Sequence, residues 1–405
     1  MSAQEFDVIV YGATGFTGRL VAEHLLRAYG ADGEVRWAMA GRDREKLKAV
    51  SIEIGAPMSL PLIEAKTSDS GALDALAHRA RVIITTVGPY QRHGEPLLAA
   101  CVRAGTDYVD LCGEPNWMAA MIAKYETRAK ESGARIVFSC GFDSIPFDCG
   151  VWFLQQEAKR RFGKPARDVR GRVRRMKGTF SGGTLASMLA TMDAVRRDPE
   201  IARLLANPFA LSPRTLAAQP SGDGVVHDGD IPSWSAPFVM ASINTKNVHR
   251  SNALRGYQYG EDFTYSEMML TGDGDAGKRR ARAALSQSKL QQALLGFAPT
   301  RWLLRQVALP KPGQGPSKEE RETGMFDVLY VGRTDDGRAL RASVAGDKDP
   351  GYGSTSKMIG EAALCLAATS REQTPGGLWT PAAAMGDALI ARLQARAGLT
   401  FKLED

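Results

Sequence analysis

The chain of 405 residues is 44% hydrophobic and 24% charged, ordinary globular proportions that suit two or three domains and a core large enough to need no covalent staples. Its five cysteines are odd in number and lack CxxC pairing, which argues against a disulfide framework or a thiolate zinc site and favours a reducing, cytoplasmic setting. No run approaches the roughly 18 apolar residues of a membrane-spanning helix. The net charge of +7 suits an acidic partner or a phosphorylated ligand, but no helix-turn-helix, zinc finger or aromatic stacking motif accompanies it, so nucleic acid is disfavoured.

Phe6 to Tyr11 is a short β-branched run that reads as a strand. Glycines follow it, and Leu20, Val21 and Leu25 then recur at helical spacing. Between strand and helix stands Gly12-Ala13-Thr14-Gly15-Phe16-Thr17-Gly18. Glycines at that junction admit a tight turn and let a pyrophosphate approach the free backbone N–H groups of the helix start. The spacing is GxxGxxG, not GxGxxG, and its position between first strand and first helix gives it its weight. The second strand, Val35 to Ala40, ends at Gly41-Arg42, where an NAD site would carry an acid about 20 residues beyond the glycines. Arg42 offers a planar fork for a 2′-phosphate instead, which favours NADP(H), while Asp43 beside it complicates the choice because it can accept from a ribose hydroxyl.

Ser59 to Ile63 reads as a third strand, Ser70 to His78 as a helix, and Val82 to Val87 as a buried parallel strand. Ligands of open α/β sheets lie beyond the carboxyl ends of strands, so Thr86, Val87, Gly88, Pro89 and Tyr90 are expected to border the ribose and nicotinamide. Helices over Glu95 to Ala104 and Trp117 to Ser132 alternate with strands over Asp107 to Asp110 and Arg135 to Ser139, giving a doubly wound parallel α/β domain of Rossmann type.

The segments VYGATGFTGRL, VGPYQRHGEPLLAACVRAGTDYVDLCGEP, CGFDSIPFDCG, SGGTLASM, PFVMASINTKNVHRSNAL, DKDPGYGSTSKMIGEAAL and GGLWTPAAAMGDALIARL resemble the saccharopine dehydrogenase-like oxidoreductases, and within them the trans-acting enoyl reductases of polyketide-derived lipid assembly. The resemblance spans nearly the whole chain. It implies an NADP-binding Rossmann domain over residues 1–150, a second α/β domain with a mixed sheet over 151–345, and C-terminal helices over 346–405 that pack back near the first domain. It also carries Gly141, Phe142 and Asp143 to the nicotinamide side. The implied substrate is an enoyl thioester or similar lipid-like alkene, small or carrier-bound, with a polyketide synthase as partner. A saccharopine-type amino-acid or imine dehydrogenase, and a dinucleotide-binding protein without turnover, stay open as alternatives.

In the second half, Val151 to Phe162 reads as a helix and Val169 to Thr179 as a strand with Arg170, Arg172 and Arg174 on one face. That face is either a charge-guarded edge or a docking patch. Ser181-Gly182-Gly183 opens a helix over Thr184 to Arg196, and Asn207 to Pro237 reads as a long excursion. Phe238 to Asn244 is expected as a strand, and Tyr257, Tyr259, Phe263 and Tyr265 alternate as a second one, facing either the core or an acyl tunnel. Leu285 to Leu309 mixes apolar and basic residues, either as a helix packed on its own protein or as one docking on a membrane surface or carrier. Phe326 to Arg333 and Arg338 to Ala345 form a hairpin, and Asp347 to Thr355 is a glycine-rich entry to a helix over Ser356 to Ala368.

Hydride transfer belongs to the cofactor, so the protein must position substrate and supply a proton. Tyr90 and Asp143, at strand ends, and Tyr352 and Lys357, in the late glycine-rich segment, are the candidate donors. Cys140 reads as a buried structural thiol. The histidines show no metal spacing, and no metal is expected. Arg42 yields a direct test. Arg42→Ala should weaken NADPH by roughly 10- to 100-fold, the worth of a charge-assisted hydrogen bond, and leave NADH nearly unchanged in a binding titration. An equal loss for both coenzymes would remove the phosphate role.

Overall fold

A computed structural model describes residues 4–178, 182–296 and 315–404. The first half alternates β1 (Phe6–Tyr11), α1 (Phe16–Tyr29), β2 (Trp37–Gly41), α2 (Arg44–Glu53), β3 (Leu62–Glu64), α3 (Ser70–Arg79), β4 (Ala80–Thr85), α4 (Tyr90–His93), α5 (Glu95–Ala104), β5 (Asp107–Asp110), α6 (Pro115–Ser132) and β6 (Arg135–Val137). The second half continues with α7 (Ile145–Phe162), β7 (Asp168–Lys177), α8 (Gly182–Arg197), α9 (Pro199–Ala206), β8 (Val226–Asp228), β9 (Ser233–Pro237), α10 (Ala241–Leu254), β10 (Thr264–Gly272) and α11 (Gly274–Gly296). Then come α12 (Lys318–Glu322), β11 (Met325–Arg333), β12 (Ala339–Gly346), a π-helical turn (Pro350–Ser354), α13 (Thr355–Ala368), β13 (Gly377–Trp379), α14 (Pro381–Arg396) and β14 (Leu399–Glu404).

The first sheet runs β13-β6-β5-β4-β1-β2-β3 with every pair parallel. Its strands are short and almost wholly buried, as a parallel sheet covered on both faces requires. Strand order reverses between β1 and β4, so a crevice opens there at the carboxyl ends. The second sheet runs β14-β12-β11-β7-β10-β9-β8 and is mixed: β7 and β10 are parallel, and the other pairs are antiparallel. The chain is therefore of α/β class, with a Rossmann-type parallel sheet and a second mixed one. Residues beyond 346 contribute a strand to each sheet as well as two helices.

Three sequence expectations change. Residues 238–244 do not form a strand: α10 begins at Ala241, and Asn244, Asn247 and Ser251 fall on one helical face. That face is buried yet bonded, to Glu267, Ser144 and Asp148 respectively, so the polar residues that disguise the helix are its interior contacts. The aromatic alternation likewise begins outside a strand, because Tyr257 takes a positive φ and β10 starts only at Thr264, while Tyr259, Phe263 and Tyr265 are core. Finally, β7 is a central strand and no edge. Arg170 pairs with Asp228 and Asp230, Arg172 with Asp228, and Arg174 with Asp327 and Glu404, so the basic face is neither an edge guard nor a docking patch. Of the segment Leu285 to Leu309, residues 297–309 lie outside the described residues. In its described part, Leu290 stands exposed on α11.

The late helices are tied to the first domain by one buried carboxylate. Glu361 on α13 accepts from His24 Nε2 at 2.8 Å, from Tyr29 Oη at 2.8 Å and from Arg392 Nε at 2.7 Å, joining α1, α13 and α14. Glu361→Ala would leave those donors facing a low-dielectric interior. The expected cost is about 3 kcal/mol in unfolding free energy by urea titration. An unchanged midpoint would deny the carboxylate that role.

Candidate active site

The glycine loop leaves β1 at Gly12, whose φ of +89° favours glycine. A Cβ on Gly12 would lie 2.6 Å from Val87 Cγ2, and one on Gly18 would lie 2.7 Å from the Gly12 carbonyl carbon and 2.8 Å from Thr86 Oγ1. The loop, the first turn of α1 and the end of β4 thus meet in a contact only glycine permits. Gly15 N donates to Gly12 O at 2.9 Å and shapes the turn. Helix α1 has no side-chain cap and no acid in its first turn, so the amides of Phe16, Thr17 and Gly18 face outward with the helix dipole behind them. Ala13 is buried and Thr14 half-buried, with Thr14 Cγ2 near the Gly41 position at the end of β2.

Arg42 follows Gly41 and is exposed, with no ion pair among the described residues. Its charge reaches Tyr11, whose phenol burial pushes up to about 12 and Arg42 draws back. Asp43 is the N-cap of α2, its Oδ1 accepting from Lys46 N at 3.0 Å.

At the end of β4, Thr86 and Val87 abut Gly12, and Gly88 and Pro89 lead into the short α4. Tyr90 is buried there. Its hydroxyl donates to Thr85 O at 3.1 Å and accepts from Leu111 N at 3.0 Å, and its ring packs on Trp117 at 5.4 Å between centroids. Burial holds this phenol well above its ordinary range, so Tyr90 clamps the β4 and β5 loop ends together. Glu114 completes the clamp, accepting from Tyr90 N at 2.8 Å, Gln91 N at 2.9 Å and Ser187 Oγ at 2.6 Å. It carries no recognisable spacing, and only its place before Pro115 at a helix start hints at a capping role.

Beyond β6, Gly141 packs against Leu111 and Thr355, and Phe142 N donates to Thr355 Oγ1 at 3.0 Å. Asp143 follows, half-buried, its Oδ1 enclosed without a hydrogen-bond partner among the described residues. Desolvation alone raises its carboxyl to about 7. Facing it from the second sheet is Glu267 on β10, fully enclosed, bonded to Asn244 Nδ2 at 2.7 Å and Tyr265 Oη at 2.9 Å. Glu267 is raised to about 8, first by burial and further by the charge of Asp143. Asn247 Nδ2 donates to Ser144 Oγ at 2.8 Å and ties α10 to the same turn. Glu267, Asn244 and Asn247 were not among the expected site residues; the i, i+3 spacing of the two asparagines is the signal that places them on one helical face.

The two remaining donor candidates lie elsewhere. Tyr352 is buried edge-on against Phe16 at 4.7 Å, beside the glycine loop. Lys357 lines a cleft on the flank of α1, 3.8 Å from Asp347. Cys140 is buried and held well above ordinary thiol values, first by desolvation and then by Asp110. Among the described residues no group of three metal-ligating side chains converges.

A glycine loop shaped for an anion at a topological switch point, a cation where the second strand ends and desolvated carboxyls across the crevice define a nicotinamide-dependent oxidoreductase. Residues 8–137 match the family model of the saccharopine dehydrogenase NADP-binding domain. A Mycobacterium tuberculosis protein, provisionally named a trans-acting enoyl reductase, is 41% identical over 98% of this chain and 97% of its own. A trans-acting enoyl reductase of Mycobacterium ulcerans is 39% identical over 97% of this chain and 96% of its own. The saccharopine dehydrogenase (L-Glu forming) of Saccharomyces cerevisiae aligns over 99% of this chain and 100% of its own with a TM-score of 0.57 at 13% identity, which shows a shared fold. The chain belongs to the saccharopine dehydrogenase-like family, in its trans-acting enoyl reductase branch, and is an NADP-dependent oxidoreductase.

Gly18→Ala tests the cradle. The added methyl has no space against Gly12, so NADPH affinity should fall at least about tenfold while the far-UV circular dichroism spectrum stays that of the parent. Unchanged affinity would mean the close contact does not shape the phosphate site.

Proposed function

We propose that the chain reduces the carbon–carbon double bond of an enoyl thioester on a lipid- or polyketide-derived acyl chain, taken free or from a carrier such as a partner polyketide synthase. The observation that carries this reading is Asp143, a carboxyl with an enclosed, unpartnered oxygen at the carboxyl edge of the sheet that bears the glycine loop. In this reading the amides of Gly12 to Gly18 hold the pyrophosphate and Arg42 the 2′-phosphate. Thr86 to Pro89 border the ribose and nicotinamide, and Gly141 and Phe142 flank the ring.

NADPH, when bound, supplies the hydride. Reduction of an enoyl thioester also needs one proton at the α-carbon, and Asp143, kept protonated near neutrality by its burial, delivers it from a carboxyl oxygen. Its partial exposure lets it regain that proton from water. A charge on Asp143 raises the Glu267 carboxyl further, which opposes ionisation of both groups together. Tyr90 and Glu114 position the β4 and β5 ends, and Tyr352 braces Phe16. An amino-acid substrate would call for a guanidinium free to meet its carboxylate. Arg172, the buried cation whose charge reaches Glu267, is already held by Asp228 and by Ser266 O at 3.1 Å, which favours the thioester over the saccharopine-type alternative.

The test is loss of NADPH absorbance on a panel of enoyl thioesters. Turnover should be sustained at mildly acidic pH and fall as pH rises through about 7, because the donor must carry its proton. Asp143→Asn should lower kcat by about 100-fold and flatten that alkaline limb. Tight NADPH binding with no oxidation on any thioester would overturn the reading.

A further inference from the structure

The late glycine-rich segment is only partly used by the chemistry above. Its Lys348 and Lys357 face Arg27 of α1 and Lys318 and Arg321 of α12 across a half-open cleft of about 80 Å³. Two acids, Glu23 and Glu322, also line it, so cations prevail five to two. Lys318 has Glu322 at 3.9 Å and Lys357 has Asp347 at 3.8 Å, while Arg321 donates to Pro316 O at 2.7 Å. Neither Arg27 nor Lys348 has a carboxylate within ion-pair reach among the described residues.

Three of these cations crowd one another. The half-buried ammonium of Lys357 is pushed down by desolvation and, despite Asp347, by the charges of Lys348 and Arg27. Like charges gathered in a partly dry cleft cost stability unless an anion offsets them. The cleft also meets the glycine loop, where the Arg321 guanidinium lies over the Phe16 ring at 5.4 Å. Helix α13 links it to the turn before Asp143: Thr355 receives the Phe142 N–H, and Lys357, two residues on, stands on the opposite side of that helix.

We infer that this cleft is a binding site for the phosphate group that an acyl thioester carries on its pantetheine-type arm, so that the phosphate anchors outside while the thioester reaches Asp143. The inference rests on the enoyl-thioester reading, and its ligand is recognised as a phosphate ester, whether borne by a carrier protein or by a free coenzyme. Arg27 and Lys348 supply charge without belonging to the reaction chamber or the glycine loop.

The experiment uses the full chain saturated with NADP, which blocks the glycine loop, and titrates inorganic pyrophosphate into the parent and into Arg27→Gln/Lys348→Gln. The parent should bind it, and the double variant should lose at least about tenfold in affinity, with NADPH affinity unchanged. In turnover, the variant should raise KM for phosphate-bearing enoyl thioesters by a similar factor and leave KM for a short, phosphate-free thioester alone. A rise confined to the carrier-borne substrate identifies a protein-borne arm as the source, and a rise for coenzyme-borne substrate as well identifies the phosphate ester itself. Equal pyrophosphate binding by parent and variant, or no binding by either, overturns the anion site. Lost pyrophosphate binding with every KM unchanged overturns its role in substrate capture. Should no thioester be reduced at all, the enoyl reading fails by itself while the pyrophosphate titration still reports on the cleft.

Discussion

The contact that the rest of the site depends on is the approach of α1 to the end of β1, where Gly18 meets the Gly12 backbone with no room for a methyl between them. That contact sets the first turn of α1 against the β4 end and turns its uncapped amides outward. A side chain at either glycine would push the helix away, and the amides would no longer converge. The helix carries no acid in its first turn, so no carboxylate of its own competes for those donors.

On the far side of the crevice the governing effect is desolvation. Asp143 and Glu267 come from different sheets, and neither is placed beside a free cation, so burial decides their protonation. The second sheet does more than cover the first. Strand β10 brings the second carboxyl, and α10, held by Asn244 and Asn247, locks that carboxyl and the Asp143–Ser144 turn into one polar unit. Buried polar groups of this kind are costly unless bonded, and their presence against an apolar core is what the proposed chemistry draws on.

What the sequence made legible was local. The β1 run, the glycines at a strand–helix junction, Arg42 at the end of β2 and the β11–β12 hairpin each announce themselves through period and spacing, without reference to distant residues. What it hid was non-local. Helix α10 reads as polar and breaks its pattern because its polar face is satisfied by Glu267, Ser144 and Asp148 from three other elements. The arginines of β7 read as an edge because their carboxylate partners lie 56 to 230 residues away in sequence, as with Asp228, Asp327 and Glu404. Strands β13 and β14 are short and gain their identity only from the partners they pair with. Glu267 follows two residues after Tyr265, but nothing in its spacing distinguishes a buried acid from a solvated one.

Equilibrium titration of the folded protein with NADPH and NADH measures the claim on which everything else stands. Saturable binding with a marked preference for NADPH is the expected result, since in the proposed reading the amides grip the pyrophosphate common to both coenzymes and Arg42 meets the phosphate that only one of them carries. Absence of affinity for either coenzyme in well-folded material would contradict it.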